Sequence, residues 1–430
     1  MNKEILRLAV PNILSNISVP LLSTVDTALM GRLSELHIGA VGVGAMIFNF
    51  IYWNFGFLRM GTTGLTAQAY GRNDRVEIVT VLGRAAVVVF SVALFILVLQ
   101  LPLGRLGFLA MNVTGDQYGL VEEYFFIRVW AAPATLASYA LMGWFFGMQN
   151  AIYPLILTVA VNVVNIALSF YLVHYVGMDV DGVAWGTVAA QYFGLILGAF
   201  LLWYRYRAYF RDLKRELVFH WAAFRLFLRL NADIFIRTLC LTFGFGFFYS
   251  QSAAGGEMIL AANVILLQFL NWMSYGVDGF AFASESLVGK YAGAGNREQT
   301  YRAIRYSFGW GMALALIYSL VYWLFGPALL RVFTNQADVI AATMPYLFWM
   351  AVFPLLSTPC YIWDGIFIGL TASKAMRNTM LLAFAVYLGL YYGWAHDWGN
   401  HGLWLALLVF MVARGGIQHL FFWRFGWKIA

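Results

Sequence analysis

Eight ionisable side chains stand inside long apolar runs: Asp26, Arg59, Asp233, Arg237, Asp278, Glu285, Asp364 and Arg414. A charge at bilayer depth costs about 3 kcal/mol or more, so each needs a partner or a task. A carboxylate there can carry a proton, because burial favours its neutral form. An arginine stays charged and is suited to pairing with acids or anions. Asp26, in the stretch STVDTALMGRL, has no basic residue nearer than Arg32. Counted from Arg7 it lies ~28 Å along an ideal helix, close to the far membrane interface. Pro11 and Pro20 kink that helix, so a buried proton carrier and an interfacial carboxylate both stay open.

Asp278 and Glu285 are seven residues apart and share a helix face. With Asp364 they form a set of acids in the second half, for which Arg59, Arg237 and Arg414 are candidate partners. Such a set is either a structural ion network or a second ion or substrate site. Asp233 and Arg237 are spaced i, i+4, which reads as a pair along one helix. The segment NVVNIALSFYLV offers Asn165 and Ser169, and GVAWGTVAAQ offers Thr187. Small polar residues of this kind also hydrogen-bond between membrane helices with no further role.

The elements that carry these residues follow from composition. Of 430 residues 62% are hydrophobic and 11% charged, less than half the charge of an ordinary soluble domain, so lipid must be the main solvent. The net charge of +7 sits in short loops between apolar runs, which reads as a topology signal rather than a nucleic-acid site. Cys240 and Cys360 lie in apolar stretches and read as buried small hydrophobes. No CxxC, HExxH or phosphate loop occurs, and the histidines are scattered, so neither a metal nor an enzyme cofactor is expected. The N-terminus, MNKEILRLAVPNILS, lacks a small-residue cleavage site and runs on into a full-length span.

Apolar runs long enough to cross ~30 Å of hydrocarbon recur twelve times. They fall near 6–31, 38–70, 80–104, 120–148, 152–176, 181–204, 222–252, 257–290, 299–326, 339–369, 376–395 and 400–423. With twelve crossings both termini share a side. That side holds twenty Lys and Arg, among them the cluster from Arg205 to Arg229, against Arg32, Arg105 and Arg331 on the other. The positive-inside bias therefore puts both termini in the cytoplasm.

The basic middle loop splits the chain into 1–215 and 216–430, each with six spans. The halves echo one another: Ala40 with Ala261, Phe48 with Phe269, Tyr70 with Tyr291, Arg84 with Arg305 and Pro133 with Pro354 at an offset of 221, and Gly143 with Gly365 and Gly147 with Gly369 at 222. Six helices per unit imply repeats of one orientation, related by a pseudo-two-fold axis along the membrane normal. The fold class is an all-α polytopic membrane protein of two six-helix lobes. Such duplication is common in secondary transporters, with the substrate path between the repeats.

The stretches VDTALMGRLS, GTTGLTAQAYGRND and ESLVGKYAGAGN resemble the multidrug and toxic compound extrusion (MATE) family. FLRMGTTG, DGFAFASESLVG, WDGIFIGLTASKAMRN and GNHGLWLALLVFMVARGG resemble its DinF-like branch. The likeness runs over essentially the whole chain. It implies two six-helix lobes in a V around a central cavity, and drug export coupled to inward flow of H⁺ or Na⁺. It also implies that Asp26 is the coupling residue of the N-lobe. Some relatives carry a second N-lobe carboxylate four residues after an Asn; here Asn165 matches that Asn and Ser169 stands where the acid would be. Thr187 matches a family cavity threonine. Asp26 is thereby left as the lobe's main titratable group, with Asn165, Ser169 and Thr187 as its polar surroundings.

The reading is a secondary antiporter exporting lipophilic or cationic small molecules in exchange for H⁺, in a cell or inner membrane, monomeric and without a nucleic-acid partner. H⁺ ranks above Na⁺ because a hard cation wants several oxygen ligands, and one carboxylate with neutral oxygens supplies few. A Na⁺-coupled exporter and a lipid-linked precursor flippase are the alternatives. The flippase would want a basic cavity, whereas the intramembrane acids outnumber the arginines by five to three. A membrane-embedded enzyme would want a His/Asp or metal constellation, and a channel fits the duplicated six-helix plan poorly.

Overall fold

The computed structural model describes the backbone of residues 1–30 and 35–426, and the side chains of 1–18 and 36–426. The described residues form helices joined by short turns, without a strand. In chain order the helices are α1 (Asn2–Met30), α2 (Glu35–Asn54), α3 (Phe57–Gly71), α4 (Arg75–Val98), α5 (Gln100–Ala110), α6 (Gln117–Arg128), α7 (Ala132–Gly147), α8 (Ile152–Tyr171) and α9 (Val180–Tyr206). Then follow α10 (Arg215–Val218), α11 (Trp221–Ala254), α12 (Glu257–Gly293), α13 (Arg297–Phe333), α14 (Ala337–Thr343), α15 (Leu347–Gly369), α16 (Ser373–Gly393) and α17 (Gly399–Phe425).

Ten segments are long and apolar enough to cross a membrane among the described residues. Three are compound: α2 with α3, α6 with α7, and α14 with α15. Helix α1 and helix α16, whose hydropathy is lowered by Arg377 and Asn378 near its start, bring the crossings to twelve. The breaks have local causes. A tight turn in which Phe55 N and Gly56 N bond back to the Tyr52 and Trp53 carbonyls separates α2 from α3, and the short 3₁₀ turn Val129–Ala131 precedes Pro133 at the start of α7.

The chain forms two compact units. One is Leu14–Leu228; the other joins Met1–Ile13 to Arg229–Ala430. The division thus falls at 228/229, not 215/216, and the first turns of α1 pack with the second half. The reason is visible in the side chains: the Tyr291 hydroxyl donates to Glu4 Oε1 at 2.8 Å, Lys290 Nζ lies 3.4 Å from it, and Trp310 Nε1 donates to Asn2 Oδ1 at 3.1 Å. The basic linker belongs to the first unit. Buried Arg84 donates to Glu77 Oε1 at 2.8 Å and to the Leu217 carbonyl at 2.9 Å, and Val218 covers Gly83.

Duplication is written into the backbone at an offset of 222. In the first unit α3 packs on α7 and α4, and α8 on α9; in the second α12 packs on α15 and α13, and α16 on α17. A Cβ on Gly143 would strike the Arg59 carbonyl, and one on Gly365 the Ala281 carbonyl, so each unit needs glycine where its second and fourth crossings meet. The turns agree as well. Asn73 (φ 56°) and Gly295 (φ 68°) are left-handed, as are Gln149 (φ 61°) and Thr371 (φ 55°). After the first pair of turns, the Asp74 and Asn296 side chains cap α4 and α13 by accepting from Glu77 N and Gln299 N, both at 3.0 Å.

Candidate functional site

In the first unit a polar seam runs between α1, α8 and α9. Ser15 Oγ donates to Thr158 Oγ1 at 2.9 Å. Asn162 Nδ2 lies 3.2 Å from both the Ser18 carbonyl and the Ser18 Oγ. Further along α8, buried Asn165 donates through Nδ2 to Thr187 Oγ1 on α9 at 3.0 Å, and Thr187 donates to the Val183 carbonyl at 2.9 Å. Ser169 is fully buried where α9 comes close, because Gly186 has no side chain to hold the helices apart. On α8 the residues Thr158, Asn162, Asn165 and Ser169 follow helical spacing and so form one stripe. Two atoms of this stripe, Asn165 Oδ1 and Ser169 Oγ, are buried without a hydrogen-bond partner among the described residues. Three of the expected residues, Asn165, Ser169 and Thr187, are therefore neighbours. The side chain of Asp26, though it belongs to α1, lies outside the described residues.

In the second unit Asp364 on α15 is the hub of a buried ion cluster. Its Oδ2 accepts from Arg237 Nη2 on α11 and, at 2.7 Å, from Arg414 Nη2 on α17. Its Oδ1 accepts from Gln418 Nε2 at 2.8 Å. One carboxylate thus ties three helices together, and the group carries one net positive charge. Asp233 does not pair with Arg237 as their i, i+4 spacing suggested. It accepts instead from Arg377 Nη1 at 2.5 Å and from Ser373 Oγ at 3.0 Å, both on α16. The reason is that both residues are buried: partners on neighbouring helices replace the along-helix contact that rules on a solvated surface.

The other acids stand on α12, Glu285 fully buried and Asp278 half-buried, two turns apart. Arg59 sits on α3 in the first unit, its guanidinium 5.9 Å from the centre of the Phe146 ring.

Three contributors escaped the sequence reading. Arg377, near the start of α16, and Gln418, inside α17, complete the two second-unit clusters. Arg128, at the end of α6, donates to the Tyr124 hydroxyl and lies over the Phe48 and Tyr124 rings at 5.2 and 5.4 Å. Its signal was present, since it stands inside the apolar run 120–148.

Comparison with known proteins comes to the same architecture. The family model MatE matches residues 11–171 and 234–394, one stretch in each half. DNA damage-inducible protein F of Escherichia coli (strain K12) is 37% identical over 436 residues, covering 99% of this chain and 93% of its own. The probable multidrug resistance protein NorM of Chromobacterium violaceum is 25% identical over 439 residues, covering 96% and 91%. Among solved structures, a crystal structure of MATE in the bent conformation superposes with a TM-score of 0.86 at 20% identity, covering 98% and 94%.

Proposed function

The chain belongs to the MATE family of membrane transporters, which are not enzymes, and from that premise we propose that it exports lipophilic, cationic small molecules in exchange for H⁺ carried by Asp26. The polar seam of the first unit carries the reading. Ser15 meets Thr158 and Ser18 meets Asn162, so the two helices run in the same direction with a register of 143 to 144 residues. Both rise by about 1.5 Å per residue. Carried past Pro20 without a change of register, position 26 would come level with Ser169, which with Asn165 holds the two buried polar atoms that have no partner among the described residues; that extrapolation is the support for the reading.

Those two atoms suit the two states of a carboxylic acid. The Ser169 hydroxyl donates to a carboxylate; Asn165 Oδ1 accepts from a protonated carboxyl. Proton uptake then costs no lost hydrogen bond, only an exchange of partner. An ionised Asp26 attracts a cationic substrate, and protonation abolishes the attraction. Substrate and proton so exclude each other, which is what exchange requires. With the termini in the cytoplasm, a proton entering from outside displaces the substrate outward. Membership of the bacterial DinF branch supports an inner-membrane setting, and the protein acts as a monomer.

Support for the substrate class comes from relatives named as multidrug resistance proteins. A second reading, coupling to Na⁺, draws on the same two oxygens, since Asn165 Oδ1 and Ser169 Oγ are also ligands for a hard cation. The test is exchange by purified protein in proteoliposomes. Asp26→Asn is expected to abolish drug/H⁺ exchange while the protein stays folded; full exchange by that variant refutes the assignment.

A further inference from the structure

The second unit holds an open cleft of about 530 Å³ on α13, lined by Arg305, Tyr306, Gly309, Trp310 and Ala313. We propose that this cleft binds the headgroup of an anionic phospholipid in the leaflet on the side of the chain termini, with the phosphate on Arg305 and an acyl chain along Gly309 and Ala313. The inference rests on the membrane setting of the chain and not on the identity of the coupling ion.

The residues are arranged along the helix as a lipid is arranged along the membrane normal. Arg305, Gly309 and Ala313 follow one another at i, i+4, i+8 and form one strip. Arg305 lies eight residues into α13, about 12 Å from its start, within reach of the interface for a long basic side chain. Gly309 opens the floor: a Cβ built there meets nothing within 4 Å. Beyond Ala313 the exposed Leu316, Ile317 and Leu320 continue the apolar path. Trp310 forms a fixed wall. Its ring stacks on Phe280, with centroids 6.3 Å apart and planes 7° apart, and its indole N–H is held by Asn2 Oδ1. Indole at headgroup depth is the usual interfacial anchor.

Charge selects the ligand. Of the neighbouring basic residues, Lys290 pairs with Glu4 at 3.4 Å, and Arg302 lies 3.8 Å from Glu298 in an exposed pair along α13. Arg305 is exposed and has no ionic or hydrogen-bonding partner among the described residues. A guanidinium is the side chain best matched to a phosphate, which it can grip through two N–H groups. The first unit shows the contrast. Gly83, which stands 222 residues before Arg305, is roofed by Val218 of the linker, and the next residue, Arg84, is spent on Glu77 and the Leu217 carbonyl. The matching surface of the second unit carries a free cation and open space.

The test is lipid retention by the purified full chain, measured by native mass spectrometry after exposure to phosphatidylglycerol or phosphatidylcholine with matched acyl chains. Phosphatidylglycerol is expected to bind about fivefold more tightly, the effect of one basic residue on an anionic lipid. Arg305→Gln is expected to bring phosphatidylglycerol to the phosphatidylcholine level, and Gly309→Leu, which fills the cleft, to reduce retention of both. Arg302→Gln should leave the preference intact. Equal retention of both lipids by the wild type overturns the proposal. So does an equal loss in Arg302→Gln and Arg305→Gln, which would mark a diffuse charge effect. Competition by inorganic phosphate at the lipid's own concentration also overturns it, since the site would then read a free anion. Loss of H⁺ coupling elsewhere in the protein leaves all of these readouts unchanged.

Discussion

Replacing Asp364 by Asn should destabilise the second unit far more than replacing Asp233, although both are buried aspartates joined to arginines. The carboxylate of Asp364 receives Arg237, Arg414 and Gln418. With Asn in its place the group goes from one net positive charge to two, and the new amide N–H₂ faces a guanidinium. Arg414 is 2% exposed and Arg237 7%, so neither can turn to water. Breaking a buried pair in this way costs roughly 3–5 kcal/mol. Around Asp233 the partner Arg377 is 26% exposed and can rotate outward, so Asp233→Asn should cost only about 1–2 kcal/mol, the usual penalty of an unmade hydrogen bond. The assay is thermal unfolding of the purified variants in one detergent. At about 2 °C per kcal/mol, Asp364→Asn should melt roughly 6–10 °C below the wild type and well below Asp233→Asn. Adding Arg237→Met to Asp364→Asn should restore part of the loss by removing an uncompensated charge. Equal melting of the two single variants, or a double variant less stable than Asp364→Asn, would refute the argument that stranded charge sets the cost.

Three further outcomes follow from other contacts. Gly143→Ala and Gly365→Ala each set a methyl on a backbone carbonyl and should lower stability by about 1–3 kcal/mol, whereas Gly246→Ala, with nothing within 4 Å, should be neutral or mildly stabilising in the same unfolding assay. Burial raises the Glu4 carboxyl, but the Tyr291 hydroxyl and Lys290 together hold it below its ordinary value of 4.5. The stability it contributes is present above that value and lost as pH falls through the lower folded one, so the melting gap between wild type and Glu4→Gln should close on acidification. Arg84→Met frees the Leu217 carbonyl, and limited proteolysis between residues 207 and 220 should become faster, with the rest of the chain protected.

The crossings were legible in the sequence because the bilayer imposes length and hydropathy on each of them. The duplication was legible through Gly143 with Gly365, since a close backbone approach leaves only one residue type to choose from. Pairing between helices was not. Asp233 and Arg237 obeyed a rule for isolated helices, and their true partners, Arg377 and Asp364, are more than a hundred residues away. That Asn165, Ser169 and Thr187 lie close together follows from the packing of α8 on α9, and the register that links α1 to α8 appears only when Ser15 and Ser18 are seen against Thr158 and Asn162.

Coupling through a single first-unit carboxylate is the central claim, and transport under an imposed gradient tests it most directly. Proteoliposomes holding the wild-type protein are loaded with a lipophilic cation and given either a pH gradient at constant Na⁺ or a Na⁺ gradient at constant pH. Substrate movement should follow the pH gradient, ignore the Na⁺ gradient and vanish in Asp26→Asn. Movement that follows Na⁺ at constant pH, or that persists in Asp26→Asn under the pH gradient, would contradict it.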